Sequence, residues 1–243
     1  MPEITKNQLK HIRLLKQKKY RQEFGEFLIE GEKNIEELLK SNFKINALYA
    51  TSDWNQSNCK EEVTLLTTKQ LSQISNLSSP NKVLALVKLP INEYNESILK
   101  NDLTLVLDSI NDPGNLGTII RTADWFGVKN IICSTDSVDC YNPKVVQTTK
   151  GSLFNVTVHY QELSTILANT SNKIYGAALD GEEINKDFSP QKPSILLMGS
   201  ESHGISEEIE NFVTDKILIK QNGKAESLNV AIATSILLYQ FTS

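Results

Sequence analysis

Cysteine is scarce in this chain: Cys59, Cys133 and Cys140 are the only three, with no CxxC pair and no histidine at ligand spacing beside them. An odd, scattered set excludes a disulfide framework and a structural zinc site, and fits a reducing, cytoplasmic setting without a metal. Long apolar runs are missing as well. No segment approaches the roughly 20 apolar residues of a membrane span. The opening stretch "MPEITKNQLKHIRLLKQKKYR" is charged throughout, where an export signal needs a continuous apolar core. No GxGxxG follows a strand, so a dinucleotide site has little support. There is also no overall excess of positive charge: the net charge is -4 and the pI about 5.5, which argues mildly against a nucleic-acid partner.

What the chain does contain is an ordinary globular composition, 40% hydrophobic and 22% charged, in 243 residues, a length comfortable for two domains. The average charge hides an asymmetry. Lys6, Lys10, Arg13, Lys16, Lys18, Lys19 and Arg21 face the single Glu3 in the first 21 residues, so the remainder is distinctly acidic. This segment is either a solvated helix face or an arm that contacts phosphates.

Periodicity divides the chain. Ile4, Leu9, Ile12, Leu15 and Tyr20 recur at loosely helical intervals, and Ile35, Leu38 and Leu39 repeat the pattern. "EFLIEG", "INALYAT", "EVTLLT" and "VLALVKL" read as strands, making residues 1 to about 95 a small α+β module. "KLPINEYNESILKND", Lys88 to Asp102, is polar, contains Pro90 and reads as a linker. Beyond it, "LTLVLD", "VKNIIC", "FNVTVHY", "NKIYGAAL", "SILLMG" and "DKILIK" are strand-like and alternate with helical segments. That rhythm predicts an α/β domain with a parallel sheet covered on both faces.

Three stretches have the makings of a site. In "NDPGNLGTIIRTADWFG", Pro113-Gly114 is a turn dipeptide, Asn115 is a candidate N-cap for a helix from Leu116, and Gly127 is placed to end it. At about 100° per residue, Leu116, Ile119, Ile120, Ala123 and Phe126 form the core face. Thr118, Arg121, Thr122 and Trp125 fall opposite. A lone exterior arginine is usually just solvated, but an indole beside it exposes apolar area that a ligand or another chain normally covers. "LLMGSESHGIS" is a buried strand running into a glycine loop with Glu201 just past its end. "ILIKQNGKAESLNVAIATSILLYQF" is a strand, a second glycine loop and a helix, with Ser227 as its candidate N-cap. Ligands in open α/β sheets collect at the carboxyl ends of strands, so two glycine loops and an arginine helix there predict a pocket.

In this order the three stretches resemble the signature motifs of the SpoU, or TrmH-type, RNA 2′-O-ribose methyltransferases of the SPOUT superfamily, over Leu103 to Phe241. "YNPKVVQTTKGSLFNV" is similar to that family's intervening segment, and "LLKQKKYRQEFGEFLIEGEKNIEELLKSN" to the RNA-substrate-binding domain often fused in front. The resemblance implies an N-terminal RNA-binding domain over 1–96 and a methyltransferase domain over 97–243. It implies a C-terminal trefoil knot, a rare exception to chain topology. It implies S-adenosylmethionine as cofactor, ribosomal or transfer RNA as partner, and a homodimer with the first motif's helix at the interface. Residue by residue, Asn115 and Arg121 match the first motif's polar pair, Glu201 the acid of the second, and Ser227 and Asn229 the third. Gly199, Ile219 and Leu228 match positions lining the methyl-donor pocket.

Two departures stand out. Ile219-Lys220-Gln221 replaces a common Ile-Pro-Met, and His203 sits where glycine is common. The competing readings are an inactive RNA-binding factor of the same fold, which has no need of all five polar residues, and a small-molecule α/β enzyme, which leaves the basic N-terminus without a use.

Overall fold

The computed structural model describes residues 4–54, 59–185 and 187–243. Two compact units emerge, Met1–Ile91 with Asp139–Phe154, and Asn92–Val138 with Asn155–Ser243.

The first unit opens with α1 (Lys6–Leu14) and α2 (Lys18–Phe24), then β1 (Glu26–Glu30), α3 (Glu32–Lys40), β2 (Ile45–Ala50), β3 (Val63–Leu65), α4 (Thr68–Ile74) and β4 (Val83–Lys88). The strands form one mixed sheet in the order β1-β4-β2-β3, antiparallel except for the β2–β3 pair. The apolar run that reads as one helix is therefore two, and Arg21 shows why. Its Nη1 donates to the carbonyls of Leu15 at 2.8 Å and Lys16 at 3.0 Å, satisfying groups that the end of α1 leaves without intrahelical partners. Its Nε donates to Asp139 at 3.0 Å, and the side chain is buried. Arg21 thus belongs to the core of this unit and not to a phosphate-contacting surface. Lys6, Lys10, Lys18 and Lys19 remain exposed.

The second unit carries β5 (Leu103–Leu107), α5 (Pro113–Trp125) and β6 (Asn130–Ser134). The chain then passes through α6 (Pro143–Thr149), which clusters with the first unit. It returns as β7 (Thr157–Gln161), α7 (Leu163–Ala168), β8 (Lys173–Glu183), β9 (Ser194–Met198), α8 (Glu207–Glu210), β10 (Asp215–Leu218) and α9 (Val230–Thr242). Six strands lie in the order β10-β8-β9-β5-β6-β7, and every pair is parallel. Central strands of such a sheet are covered on both faces, which is why Leu105, Val106, Leu107 and Ile195, Leu196, Leu197 are all fully buried rather than alternating. Of the expected linker, Lys88 ends β4 and the residues from Asn92 onward belong to the second unit, where Leu99 of a 3₁₀ turn at Glu96–Lys100 packs onto the core. Among the described residues no helix is long and apolar enough to cross a membrane.

The edge strand β7 buries His159, whose Nε2 lies 3.3 Å from Asn130 Oδ1 while Nδ1 has no hydrogen-bond partner. Burial disfavours the imidazolium and pushes its pKa below the usual 6.5. The unfolded chain therefore takes up this proton first as the pH falls. The contribution of His159 is complete above about pH 6.5 and is lost as the pH drops toward its lowered folded value. Between pH 7.5 and 5.5 the wild-type melting temperature is therefore expected to fall further than that of His159→Gln. Parallel melting curves for the two would contradict this.

Candidate active site

Three segments of the second unit meet at the carboxyl ends of its strands. The first is the turn into α5. Asp112, not Asn115, is its N-cap: the Asp112 carboxylate accepts the Asn115 N–H at 2.9 Å, and Pro113 occupies the first helical position, where its missing N–H costs nothing. Asn115 is therefore the third residue of the helix, and its side chain is free for other work. The far end of α5 follows expectation. Gly127, at φ 75°, completes a left-handed stop in which Val128 N–H reaches the Ala123 carbonyl at 2.9 Å and Gly127 N–H that of Asp124 at 3.1 Å.

The second segment leaves β9 through Gly199. A Cβ there would lie 2.0 Å from the Gly204 carbonyl carbon, so only glycine allows this loop to close on itself. Asp108, buried at the end of β5, fixes the same loop by accepting the Ser206 N–H at 2.7 Å. The next residue, Ser109, sits at φ 56° and donates its hydroxyl to Asp136 Oδ2 at 2.8 Å. Hydroxyls of Ser134 and then Ser109 hold the Asp136 carboxyl below the ordinary carboxylate range against partial burial.

The third segment enters α9. Asn229, not Ser227, is the N-cap, its Oδ1 accepting the N–H groups of Ala231 at 3.0 Å and Ile232 at 3.4 Å. Ser227 stays two residues outside the helix, in the exposed loop.

These segments are joined by a closed ring of side chains. Asn115 donates to Glu201 Oε1 at 2.8 Å, Asn229 donates to Asn115 Oδ1 at 3.0 Å, and Asn229 also donates to Glu201 Oε1. The carboxylate thus lies at the N-terminus of α9, where exposed backbone N–H groups favour negative charge. Because the Asn115 and Asn229 amides are largely engaged with one another and with Glu201, their geometry is that of organisers.

Beside the ring is a cavity of ≈ 380 Å³. Gly199, Ile219 and Leu228 line it, as do Glu201 and Ser227, and the loops carrying Gly199 and Gly223 are both part of its wall. Leu179 on β8 also lines it and is exposed, a contribution that no sequence signal announced. The Lys220-Gln221 departure builds its own closure: Lys220 pairs with Glu183 at 2.8 Å, and the Gln221 amide donates to the Ala225 carbonyl at 2.5 Å. His203 lies exposed in the Gly199 loop, its N–H reaching Ser200 Oγ at 3.3 Å.

Arg121 is the residue that this arrangement does not gather. Six positions beyond Asn115, it lies about 9 Å further along the helix axis. It is exposed, is not part of the cavity wall, and makes no hydrogen bond or ion pair among the described residues. It shares its face with Trp125, 85% exposed, and α9 presents Ile232 at 53% and Tyr239 at 63% exposed. The two helices are stitched by Thr122 and Ser235, whose hydroxyls are 3.2 Å apart. Among the described residues no group of side chains is suited to hold a metal ion.

A parallel α/β sheet with a glycine-lined cavity at its strand ends, beside a polar ring drawn from three distant loops, defines a ligand-binding α/β enzyme. Comparison narrows this. The SpoU rRNA methylase family matches residues 102–239, and an MRM3-like substrate-binding domain matches residues 6–85. The chain belongs to the SpoU rRNA methylase family. It is 30% identical to the 23S rRNA (guanosine(2553)-2′-O)-methyltransferase RlmP of Bacillus subtilis, over 98% of this chain and 97% of that one. A TrmH-family protein from Porphyromonas gingivalis superposes with a TM-score of 0.88 at 35% identity, covering 99% of this chain and 98% of that one. An AdoMet-bound rRNA methyltransferase from Sinorhizobium meliloti gives a TM-score of 0.85 at 28% identity, covering 99% and 95%.

Proposed function

We propose that the cavity beside Gly199 is the methyl-donor site and that the ring of Asn115, Glu201 and Asn229 frames the reaction. The protein is an S-adenosylmethionine-dependent RNA (ribose-2′-O)-methyltransferase, and the RNA it acts on is ribosomal. The observation that carries the reading is the cavity itself. Its aliphatic walls at Ile219 and Leu228 suit the faces of an adenine, its backbone-rich loops suit the adenine edge, and the fit at Gly199 leaves no room for a side chain. The residues present therefore fit an adenosyl group. No observation favours an inactive RNA-binding factor.

When bound, the donor supplies a methyl group made strongly electrophilic by its sulfonium. The chain's own residues must align a ribose oxygen with it and stabilise the charge that develops as a weakly acidic hydroxyl is lost. Ser227, in the cavity wall and without a hydrogen-bond partner among the described residues, holds the ribose end. Asn115, Glu201 and Asn229 fix the loops around it. Arg121 binds the phosphate beside the reacting ribose and stabilises the developing oxyanion. A guanidinium is almost never deprotonated in proteins, so it acts as a clamp and not as the base.

The working form is a homodimer closed over the exposed face of α5 and α9, with the partner subunit's Arg121 brought to each cavity. This accounts for the distance between Arg121 and the ring within one chain. The segment after β10 is threaded as a trefoil knot, in line with both glycine loops closing one cavity. Residues 1–96 recruit RNA and 97–243 carry the transfer. The odd, scattered set of three cysteines in the sequence suits a cytoplasmic setting.

Incubating the purified protein with methyl-labelled donor and ribosomal RNA from a strain lacking the gene is expected to label that RNA. Label that enters only transfer RNA would move the substrate, and a folded dimer that labels neither would remove the reading. For the N-terminal segment, reversing Lys6, Lys10 and Lys19 to Glu is expected to weaken RNA binding and flatten the dependence of log K on log salt by about 2 to 3, with donor binding intact. Unchanged affinity would return these lysines to a merely solvated face.

A further inference from the structure

The first unit contains a second cavity, of ≈ 420 Å³, which the methyl-transfer site does not use. Its size falls within the range of about 300 to 1,000 Å³ typical of small-ligand sites. Leu28 of β1, Leu77 after α4 and Val146 of α6 give it apolar surface, and the cations Lys16 and Lys144 line it too.

Three amide side chains complete the wall, and each is anchored at one end only. Gln147 accepts at Oε1 from Asn34 Nδ2 at 3.0 Å, and Asn34 is itself buried. Asn142 accepts at Oδ1 from the Lys144 N–H at 2.9 Å. Asn76 donates from Nδ2 to the buried carboxylate of Glu30 at 2.9 Å. The opposite ends, Gln147 Nε2, Asn142 Nδ2 and Asn76 Oδ1, have no protein partner among the described residues. Anchoring one end fixes each amide, so the lining residues carry two amide donors and one carbonyl acceptor left over for a ligand. The Glu30 carboxylate is already met by Ser75 Oγ at 2.5 Å and the Asn76 N–H at 2.8 Å, and it steadies this wall.

We propose that this cavity receives one unstacked nucleobase of the RNA substrate, at a nucleotide other than the one methylated. Single-stranded RNA is read by splaying a base into a pocket whose apolar walls cover its faces and whose fixed donors and acceptors meet its edge. The amide set supplies both kinds of group, as a base edge requires, and the exposed Lys16 at the rim suits a flanking phosphate. The inference rests on the reading that RNA is the substrate, and it gives the first unit a means of choosing sequence besides charge.

The test uses the full-length protein with ribosomal RNA from a strain lacking the gene. Gln147→Glu keeps the acceptor that Asn34 needs and replaces the free donor with an acceptor. Thr148→Trp fills the cavity from a half-buried position on its wall. Each is expected to raise KM for the RNA about tenfold, while kcat at saturating RNA, donor affinity, the salt slope and the melting temperature stay as in wild type. A general folding defect would move the melting temperature and donor affinity together. Wild-type melting with unchanged KM for RNA in both variants overturns the proposal. So does binding of a free nucleoside monophosphate to the wild-type cavity without any loss of RNA affinity in the variants. Wild-type protein that methylates no RNA would instead overturn the reading beneath it.

Discussion

Replacing Arg121 with alanine is expected to lower the rate of methyl transfer by about 10²–10³-fold, the usual cost of removing one donor that stabilises a developing oxyanion. Donor affinity should change little, because the role proposed for Arg121 is to grip the phosphate beside the reacting ribose and not the donor. Stability should not change either, since the side chain is exposed and makes no bond among the described residues. Arg121→Lys is the sharper comparison. Lysine keeps the charge but loses the planar fork that grips a phosphate from two sides, so it should recover only a small part of the rate. If a clamp from the partner subunit is at work, mixing Arg121→Ala protein with a variant crippled in its donor cavity should restore activity through the one intact site in the mixed dimer. Full activity of Arg121→Ala would remove this residue from the account.

Trp125→Glu is expected to give monomers and abolish activity. A tryptophan buries about 150–250 Å² when covered, which at about 25 cal/mol per Å² is roughly 4 to 6 kcal/mol per copy. In a two-fold interface the same residue counts twice. Trp125 is 85% exposed in the single chain, and α9, which packs on α5 through Thr122 and Ser235, exposes Ile232 and Tyr239. A carboxylate placed there removes the apolar area and adds a charge that burial would leave unpaired. Light scattering should report the monomer mass, with the fold intact because the indole is almost wholly exposed in its own chain. A dimer of unchanged mass would place the interface elsewhere.

Much of this architecture was legible in the sequence because it depends on local periodicity. The face of α5 that enters the core is the one its 3.6-residue spacing marks, with Leu116, Ile119, Ile120 and Ala123 all fully buried, whereas Phe126, expected on the same face, is the half-buried C-cap. The six apolar strands of the second unit read correctly as a parallel sheet for the same reason. Cap positions were less accessible. Asp112 and Asn115 both have the side chain of an N-cap, and the decision between them lies in Pro113, whose place at the first helical position was a usable signal. Ser227 and Asn229 posed the same ambiguity without a proline to resolve it.

Long-range pairing was not legible at all. The ring of Asn115, Glu201 and Asn229 joins residues 86 and 114 positions apart, and nothing in any one segment announces its partner. Arg21 reads as one more cation in a basic run until Asp139 is placed beside it. The affiliation of Asp139–Phe154 with the first unit rests on similar contacts. Tyr141 meets Phe27 at 4.7 Å between ring centroids and Phe154 meets Phe43 at 5.2 Å, which a linear reading of domain boundaries cannot anticipate. The motifs offered five polar candidates, and the fold brings three of them, Asn115, Glu201 and Asn229, into one hydrogen-bonded ring.

The central claim is the identity of the atom that receives the methyl, and alkaline cleavage of the product RNA tests it most directly. The ionised 2′-oxygen of ribose attacks the neighbouring phosphate in alkali, so a methyl group on that oxygen protects a single bond. Ribosomal RNA treated with the enzyme and S-adenosylmethionine should give a ladder with one missing rung, present only with donor and wild-type protein and absent with Arg121→Ala. A complete ladder from fully labelled RNA, with the label recovered on a nucleobase, would show that the acceptor is not the ribose and would contradict the account.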